Sequence, residues 1–252
     1  MAQMKTKTIW ILGASSGIGY ELAILLAKQS HQLILSARNE KLLSELHDKL
    51  QPTASVEHLV VPCDCSDYEN LKEAKALISE RIKRIDSVIF MAGQYEPLSI
   101  LDIQKKHIDS IIKTNLNGPM YLTELVLQEL LTQKESQLIF CASVAGFVGL
   151  PNAQPYSASK AALINFVQSL HAEHAKDIDI KIINPGFVKT PLTDKNSFKM
   201  PFIITAQDAA ESIMKSIHKR NVFEIHFPKK FTFIMKLLAL LPYRVLHRLV
   251  KR

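Results

Sequence analysis

Tyr156 and Lys160 stand four residues apart in the stretch Gln154-Pro155-Tyr156-Ser157-Ala158-Ser159-Lys160. The run that follows, Ala161 to Val167, has the composition of a helix packed all round. A spacing of four on a helix puts both side chains on one face. A phenol ordinarily keeps its proton until about pH 10. A fixed ammonium nearby favours the phenolate and lowers that value, so the pair can trade a proton near neutrality. The same spacing also occurs on the rim of ordinary amphipathic helices, so its weight depends on what else the chain carries.

A second constellation is Gly13-Ala14-Ser15-Ser16-Gly17-Ile18-Gly19, directly after the apolar run Thr8–Leu12. Three glycines in seven residues at a first strand–helix junction let the backbone turn tightly and approach a pyrophosphate, and the helix start offers free N–H groups. Ser15, Ser16 and Ile18 join Gly13, Gly17 and Gly19 as expected contacts. A plain strand–helix turn is the competing reading. The next strand ends Leu35-Ser36-Ala37-Arg38. An acid there would bind a ribose 2′-hydroxyl. This chain offers Ser36 and Arg38 instead, and an arginine suits a 2′-phosphate, which points to NADP(H) rather than NAD. An exposed surface arginine is the plain alternative.

These residues need elements to hold them. Short apolar runs at Thr8–Leu12, Gln32–Ser36, Val56–Val61, Ser87–Met91, Gln137–Cys141, Ile178–Ile183 and Val222–Phe227 read as strands. Helical patterns lie between them: Tyr20–Lys28, Glu40–Leu50, Asn70–Ile82, a long Lys105–Leu131, the Tyr156 helix and Ala206–Ile217. Strict alternation predicts an α/β fold, a doubly wound, Rossmann-type parallel sheet of seven strands with helices on both faces. No Gly-, Ser- or Pro-rich linker divides it. One domain over residues 1–228 is expected, with a helical appendage over 229–252.

The chain has 252 residues, enough for one large buried core. Three cysteines, Cys63, Cys65 and Cys141, are too few and too oddly numbered for a disulfide framework. Cys63-Asp64-Cys65 has no further ligand at metal spacing, and neither do His171 and His174, so no metal is expected. Met1–Lys7 is polar and the following apolar run is too short for a signal peptide, so the expected compartment is the cytoplasm. The net charge of +7 is uneven. Lys215–Arg252 holds ten Lys or Arg against one acid, Glu224, while the remainder is slightly acidic. No recognition motif accompanies the basic end, so nucleic acid is not expected as a partner.

Taken in order, the motifs resemble those of the short-chain dehydrogenase/reductase family from about Lys7 to about Phe227. The glycine motif stands as Leu12-Gly13-Ala14-Ser15-Ser16-Gly17-Ile18-Gly19. The resemblance implies adenine contact for Asp64, active-site roles for Asn115 and Ser143, and nicotinamide contacts for Pro185, Gly186, Val188 and Thr190. Ala92 and Gly93 close the fourth strand beside the cofactor. The implied reaction interconverts a carbonyl and a secondary alcohol. Tyr156 is the proton donor, Lys160 lowers its pKa and binds the nicotinamide ribose, Ser143 holds the substrate oxygen, and Asn115 holds a water near Lys160. A homodimer or homotetramer is expected. Two departures stand out: Leu12 replaces the usual Thr or Ser, and Phe90-Met91 replaces Asn-Asn, so polar braces beneath the cofactor are missing.

The stretch Pro191–Thr205, at the family's substrate lid, is largely apolar, as is Gly146–Leu150. Both suit an apolar or lipid-like small-molecule substrate, and both suit core. Phe231–Leu241 is apolar nearly all round, interrupted by Lys236 and ended by Pro242. Tyr243–Arg252 places Arg244, His247, Arg248 and Lys251 opposite Val245, Leu246, Leu249 and Val250. No uncharged run reaches about 18 residues, so the tail reads as an interfacial segment, with peripheral contact to the cytosolic face of a membrane, rather than a span. Cover for the protein's own sheet edge or a dimer partner is the alternative. A soluble 3-oxoacyl-carrier-protein reductase and a catalytically idle NADP-binding regulator are the competing functions.

Overall fold

A computed structural model describes residues 6–51 and 56–250. Strands β1 (Thr8–Leu12), β2 (Gln32–Ser36), β3 (Leu59–Val60), β4 (Ser87–Phe90), β5 (Gln137–Cys141), β6 (Asp179–Pro185) and β9 (Glu224–Phe227) form one sheet in the order β3-β2-β1-β4-β5-β6-β9. Every pairing in it is parallel. A parallel sheet is buried on both faces, which is why its strands read as unbroken apolar runs. Alternation does the sorting. Trp10 and Leu12 of β1 enter one core, with Phe90 and Phe140. Ile9 and Ile11 enter the other, with Leu33 and Ile89.

Helices cover both faces as expected. On one side lie α1 (Gly17–Ala27), α2 (Glu40–Leu50) and α7 (Ala206–Ile217), whose Leu22, Leu43 and Ile213 join the second core. On the other lie α3 (Tyr68–Arg81), α4 (Lys105–Ile112), α5 (Gly118–Leu131) and α6 (Gln154–His174), whose Leu71, Leu122 and Leu163 join the first.

Three details differ from the expectation. The third strand is two residues long, not six. The long helix expected over Lys105–Leu131 is broken by a π turn, Lys113–Asn117, which contains Asn115. A π turn inserts a residue into the helical ladder and is common where a side chain must be re-aimed. The loop after β6 carries a small parallel pair of its own, β7 (Val188–Lys189) with β8 (Ile204–Thr205). It pins both ends of the lid segment.

The tail forms α8 (Lys229–Ala239) and α9 (Tyr243–Val250). It lies against the body. Phe231, Met235 and Leu246 are buried and pack with Val144 and Val148. Lys236, which interrupts the apolar run in the sequence, turns inward and pairs with Glu224. Of the four apolar residues expected on one face of α9, Leu246 is buried and Val250 half-buried, while Val245 and Leu249 are exposed. No helix among the described residues is long and apolar enough to cross a membrane.

Candidate active site

The glycine loop is held by the second strand. Gly13 and Ala14 both donate their N–H groups to the Ser36 carbonyl, at 2.7 and 3.2 Å. Gly13 has φ +88°, and a Cβ there would lie 2.5 Å from the Ala92 nitrogen. A side chain is excluded by backbone on one side and by conformation on the other. Gly17, at φ +58°, starts α1 under the Thr190 side chain.

Two clefts open along this loop. One, of about 190 Å³, is lined by Ser15, Ser16, Ser36, Arg38, Asp64, Ala92 and Gly93, among others. The other, of about 330 Å³, runs from Gly13, Gly17, Ile18 and Gly19 past Arg38 to Ser143, Tyr156, Lys160, Pro185, Gly186, Val188 and Thr190. Arg38 is exposed and borders both. Ser36 differs from the expectation. Its hydroxyl accepts from Trp10 Nε1 at 2.9 Å and donates to the Val61 carbonyl at 2.7 Å. It is committed to the core, and its service to the cleft is the backbone carbonyl that holds Gly13. Asp64 likewise accepts from the Ser66 N–H and hydroxyl, at 2.9 and 2.7 Å, with its carboxylate at the cleft wall.

Deeper in, Tyr156 and Lys160 share a face of α6, as their spacing predicts. Lys160 is buried and donates to the Cys141 carbonyl at 2.8 Å. Burial pushes its pKa down. The direction for Tyr156 is opposite to the expectation. Burial pushes the phenol above its ordinary value of 10, and a hydrogen bond with Ser143 offsets only part of that. Desolvation is the largest cause, with Cys141 and Tyr95 acting in the same direction, and the Lys160 Nζ sits 5.8 Å from the ring centre. Ser143 follows β5 in an extended conformation and caps a short 3-10 turn, accepting from the Ala145 N–H at 3.1 Å.

Asn115, alone of the expected residues, lines neither cleft. It is fully buried behind them. Its amide donates to the Gln94 carbonyl at 2.9 Å and the Ser159 hydroxyl at 3.1 Å, and its oxygen accepts from the Gln94 N–H at 2.7 Å. Both amide hydrogens are used, and these bonds brace the segment after Gly93. The missing polar braces at Leu12 and Phe90 are replaced by packing, since both are buried in the first core.

The three thiols are buried and unpaired. Burial pushes Cys63 and Cys65 up to about 12, which makes them inert at neutral pH. Among the described residues no group of His, Cys, Asp or Glu is arranged to hold a metal ion.

A family profile described as short chain dehydrogenase matches residues 7–200. The chain belongs to the short-chain dehydrogenase family. An oxidoreductase of Myxococcus xanthus is 31% identical over 243 residues, covering 96% of this chain and 95% of its own. One of Staphylococcus epidermidis is 32% identical over 218 residues, covering 86% and 93%. Among solved structures, a short-chain dehydrogenase/reductase of Burkholderia phymatum, in complex with NAD, has a TM-score of 0.85 at 20% identity, covering 94% of each chain. A short-chain dehydrogenase of Sphingobium yanoikuyae, in complex with NADPH, has a TM-score of 0.81 at 20% identity, covering 94% and 97%. At these identities the structural matches speak for the fold.

In this short-chain dehydrogenase a third cavity, of about 300 Å³, adjoins the cleft at Ser143 and Tyr156. Its walls are mostly apolar: Leu150, Phe187, Leu192, Phe198 and Pro201 from the loops, and Phe231, Met235 and Val250 from the tail. Sequence reasoning missed several of its supports. Tyr95 lays its ring edge-on to Tyr156, with centres 4.9 Å apart, and donates to Asn196 of the lid at 2.8 Å. Lys195 donates to the Tyr95 carbonyl at 3.0 Å and pairs with Glu96. These contacts join positions from 61 (156 − 95) to 101 residues apart, so no local pattern announces them. The tail's part in the wall was equally hidden, because Phe231 reaches it only by packing on Gly186, where a Cβ would come within 2.6 Å of the ring.

Proposed function

We propose that this short-chain dehydrogenase is an NADP(H)-dependent oxidoreductase that interconverts an apolar or lipid-like carbonyl compound and its secondary alcohol. The observation that carries the reading is the meeting of the glycine-loop cleft with an apolar cavity at Ser143 and Tyr156. The cleft fits a dinucleotide. Its glycine loop leaves room where a Cβ would collide with backbone, and its far end presents Arg38 with no acid among Ser36, Ala37, Arg38 and Asn39. Gly13, Ser16, Gly17 and Ile18 would cradle the pyrophosphate, Asp64 the adenine and Arg38 the 2′-phosphate. Lys160 would hold the nicotinamide ribose, and Pro185, Gly186, Val188 and Thr190 the ring.

A nicotinamide held by these residues would supply the hydride. The protein's own part is proton transfer and charge stabilisation. Ser143 donates a hydrogen bond to the substrate oxygen as negative charge develops there. Tyr156 donates its phenolic proton to that oxygen. Its raised pKa keeps it protonated at neutral pH, which is the state carbonyl reduction needs. The Lys160 ammonium favours the phenolate left behind. Asn115 acts one layer back, as a positioning residue for the Gln94–Tyr95 segment and, through Ser159, for α6.

The test is a panel of ketones and aldehydes of rising chain length, assayed for oxidation of NADPH and of NADH. Turnover with NADPH that improves with apolar length is expected. Failure of every carbonyl to oxidise NADPH would overturn the reading and favour the idle regulator.

A further inference from the structure

We propose that α8 and α9 form a lipid-docking device. Their outer face lies on an anionic membrane surface, their inner face walls the cavity beside Tyr156, and an apolar substrate reaches the site from the bilayer. The access half rests on reading that cavity as the site of an apolar carbonyl. The docking half stands without it.

The inward turn of Lys236 carries the argument. It pairs with Glu224 and lies 5.9 Å from the centre of the Phe147 ring. The one charge within the apolar run is thereby paired and half-buried, its side chain 35% exposed, rather than free among the outward apolar residues. What faces outward is a stripe at helical spacing: Phe233 at 56% exposure, Ile234 at 44%, Leu237 at 63% and Leu240 at 81%. A contiguous exposed apolar face on a folded domain marks a contact site. Exposed Phe202, on the lid, stacks on Phe231 at 6.0 Å and extends the apolar surface towards the cavity rim.

Charge decides what the face meets. Lys229, Lys230, Arg244 and Arg248 are exposed around it, and no acidic residue follows Glu224. A second copy docked by twofold symmetry would set this cationic surface against itself. An anionic lipid surface satisfies both features, since apolar side chains enter the acyl boundary while the basic ones pair with headgroups. Neither helix is long enough to cross, so both lie in the interface plane. The same two helices supply Phe231, Met235 and Val250 to the cavity wall. One layer of helix therefore separates the lipid contact from the cavity.

The experiment uses the full chain with vesicles of phosphatidylcholine, alone or mixed with phosphatidylglycerol. The parent should sediment with the mixed vesicles and stay largely in solution with the neutral ones. Phe233→Glu/Leu237→Glu should lower the bound fraction by about tenfold or more, since two apolar anchors are lost and two anions gained. Arg244→Glu/Arg248→Glu should abolish the preference for anionic lipid. Neither pair lines the cavity, so turnover of a short, water-soluble carbonyl should be unchanged in both. A long-chain carbonyl carried in the mixed vesicles should be reduced about tenfold faster by the parent than by the Phe233/Leu237 variant, in step with the bound fraction.

A parent that stays in the supernatant with mixed vesicles overturns the proposal. If light scattering shows the Phe233/Leu237 variant splitting a dimer while the parent ignores vesicles, the face belongs to a second copy. Vesicle binding with equal long-chain rates overturns the access half alone. If no carbonyl is turned over at all, the proposed reaction and the access half both fail, and sedimentation still decides the docking.

Discussion

At the scale of single residues, the shared helix face of Tyr156 and Lys160 was legible from spacing, but the sign of the phenol's shift was not. The shift comes first from desolvation, and Ser143, Cys141 and Tyr95, all distant from Tyr156 in the chain, modify it, so the local sequence carries none of that. The raised value has a kinetic consequence. In the proposed mechanism reduction uses the protonated phenol, so its rate should stay flat through neutral pH and fall only above the ordinary tyrosine range. Oxidation uses the phenolate, so its rate should climb with pH across the same interval. Paired pH–rate profiles check this, and a reductive rate already falling near pH 7 would contradict it. Arg38 is the second residue with a sharp consequence. In Arg38→Ala, NADPH affinity should weaken by about 1.5–3 kcal/mol for a lost charged hydrogen bond, with NADH affinity little changed. Titration of both cofactors decides the point, and equal weakening would move the 2′-phosphate elsewhere.

At the scale of elements, the seven strands and the helices between them were readable because a parallel sheet buries whole apolar runs and alternation with helices fixes its class. The interruption of the Lys105–Leu131 helix was not. Its π turn serves Asn115, whose partners Gln94 and Ser159 lie 21 and 44 residues away in the chain. The tail was half legible. Its helices and their break at Pro242 follow from composition, whereas the inward turn of Lys236 depends on Glu224, twelve residues earlier on β9. Phe231 joins the body, the lid and the cavity wall, since its ring lies 5.4 Å from that of Phe187 and 6.0 Å from that of Phe202. Phe231→Ala should cost about 3–5 kcal/mol of stability, as for other buried aromatic truncations. It should also raise KM for an apolar carbonyl while leaving cofactor affinity within a few-fold. Thermal denaturation and steady-state kinetics test both parts, and an unchanged KM would remove the tail from the substrate wall.

At the scale of the whole molecule, two features outside the site bear on stability. His31 and His58 are buried, and each accepts a backbone N–H on Nδ1, while its Nε2 has no hydrogen-bond partner among the described residues. Burial pushes both below the ordinary 6.5, with His218 and His47 as the next causes. The folded protein therefore holds them neutral, and the unfolded chain takes up protons first. Their stabilising contribution is complete above about pH 6.5 and shrinks as pH falls, by up to about 1.4 kcal/mol per pH unit for each histidine. Melting temperature should drop from pH 7.5 to 5.5 in the parent and less steeply in His31→Asn/His58→Asn, whose amide oxygens can still accept the backbone bonds. The larger feature is the junction of two cavities, one shaped for a dinucleotide and one apolar, at a single phenol. The most direct test is Tyr156→Phe, compared with the parent for cofactor affinity and for NADPH oxidation at saturating carbonyl. The ring keeps its packing and only the proton donor is lost. Cofactor affinity should hold within a few-fold while turnover falls by about a thousandfold, in the range for removal of a general acid. Turnover within a few-fold of the parent, with the fold intact, would contradict the account.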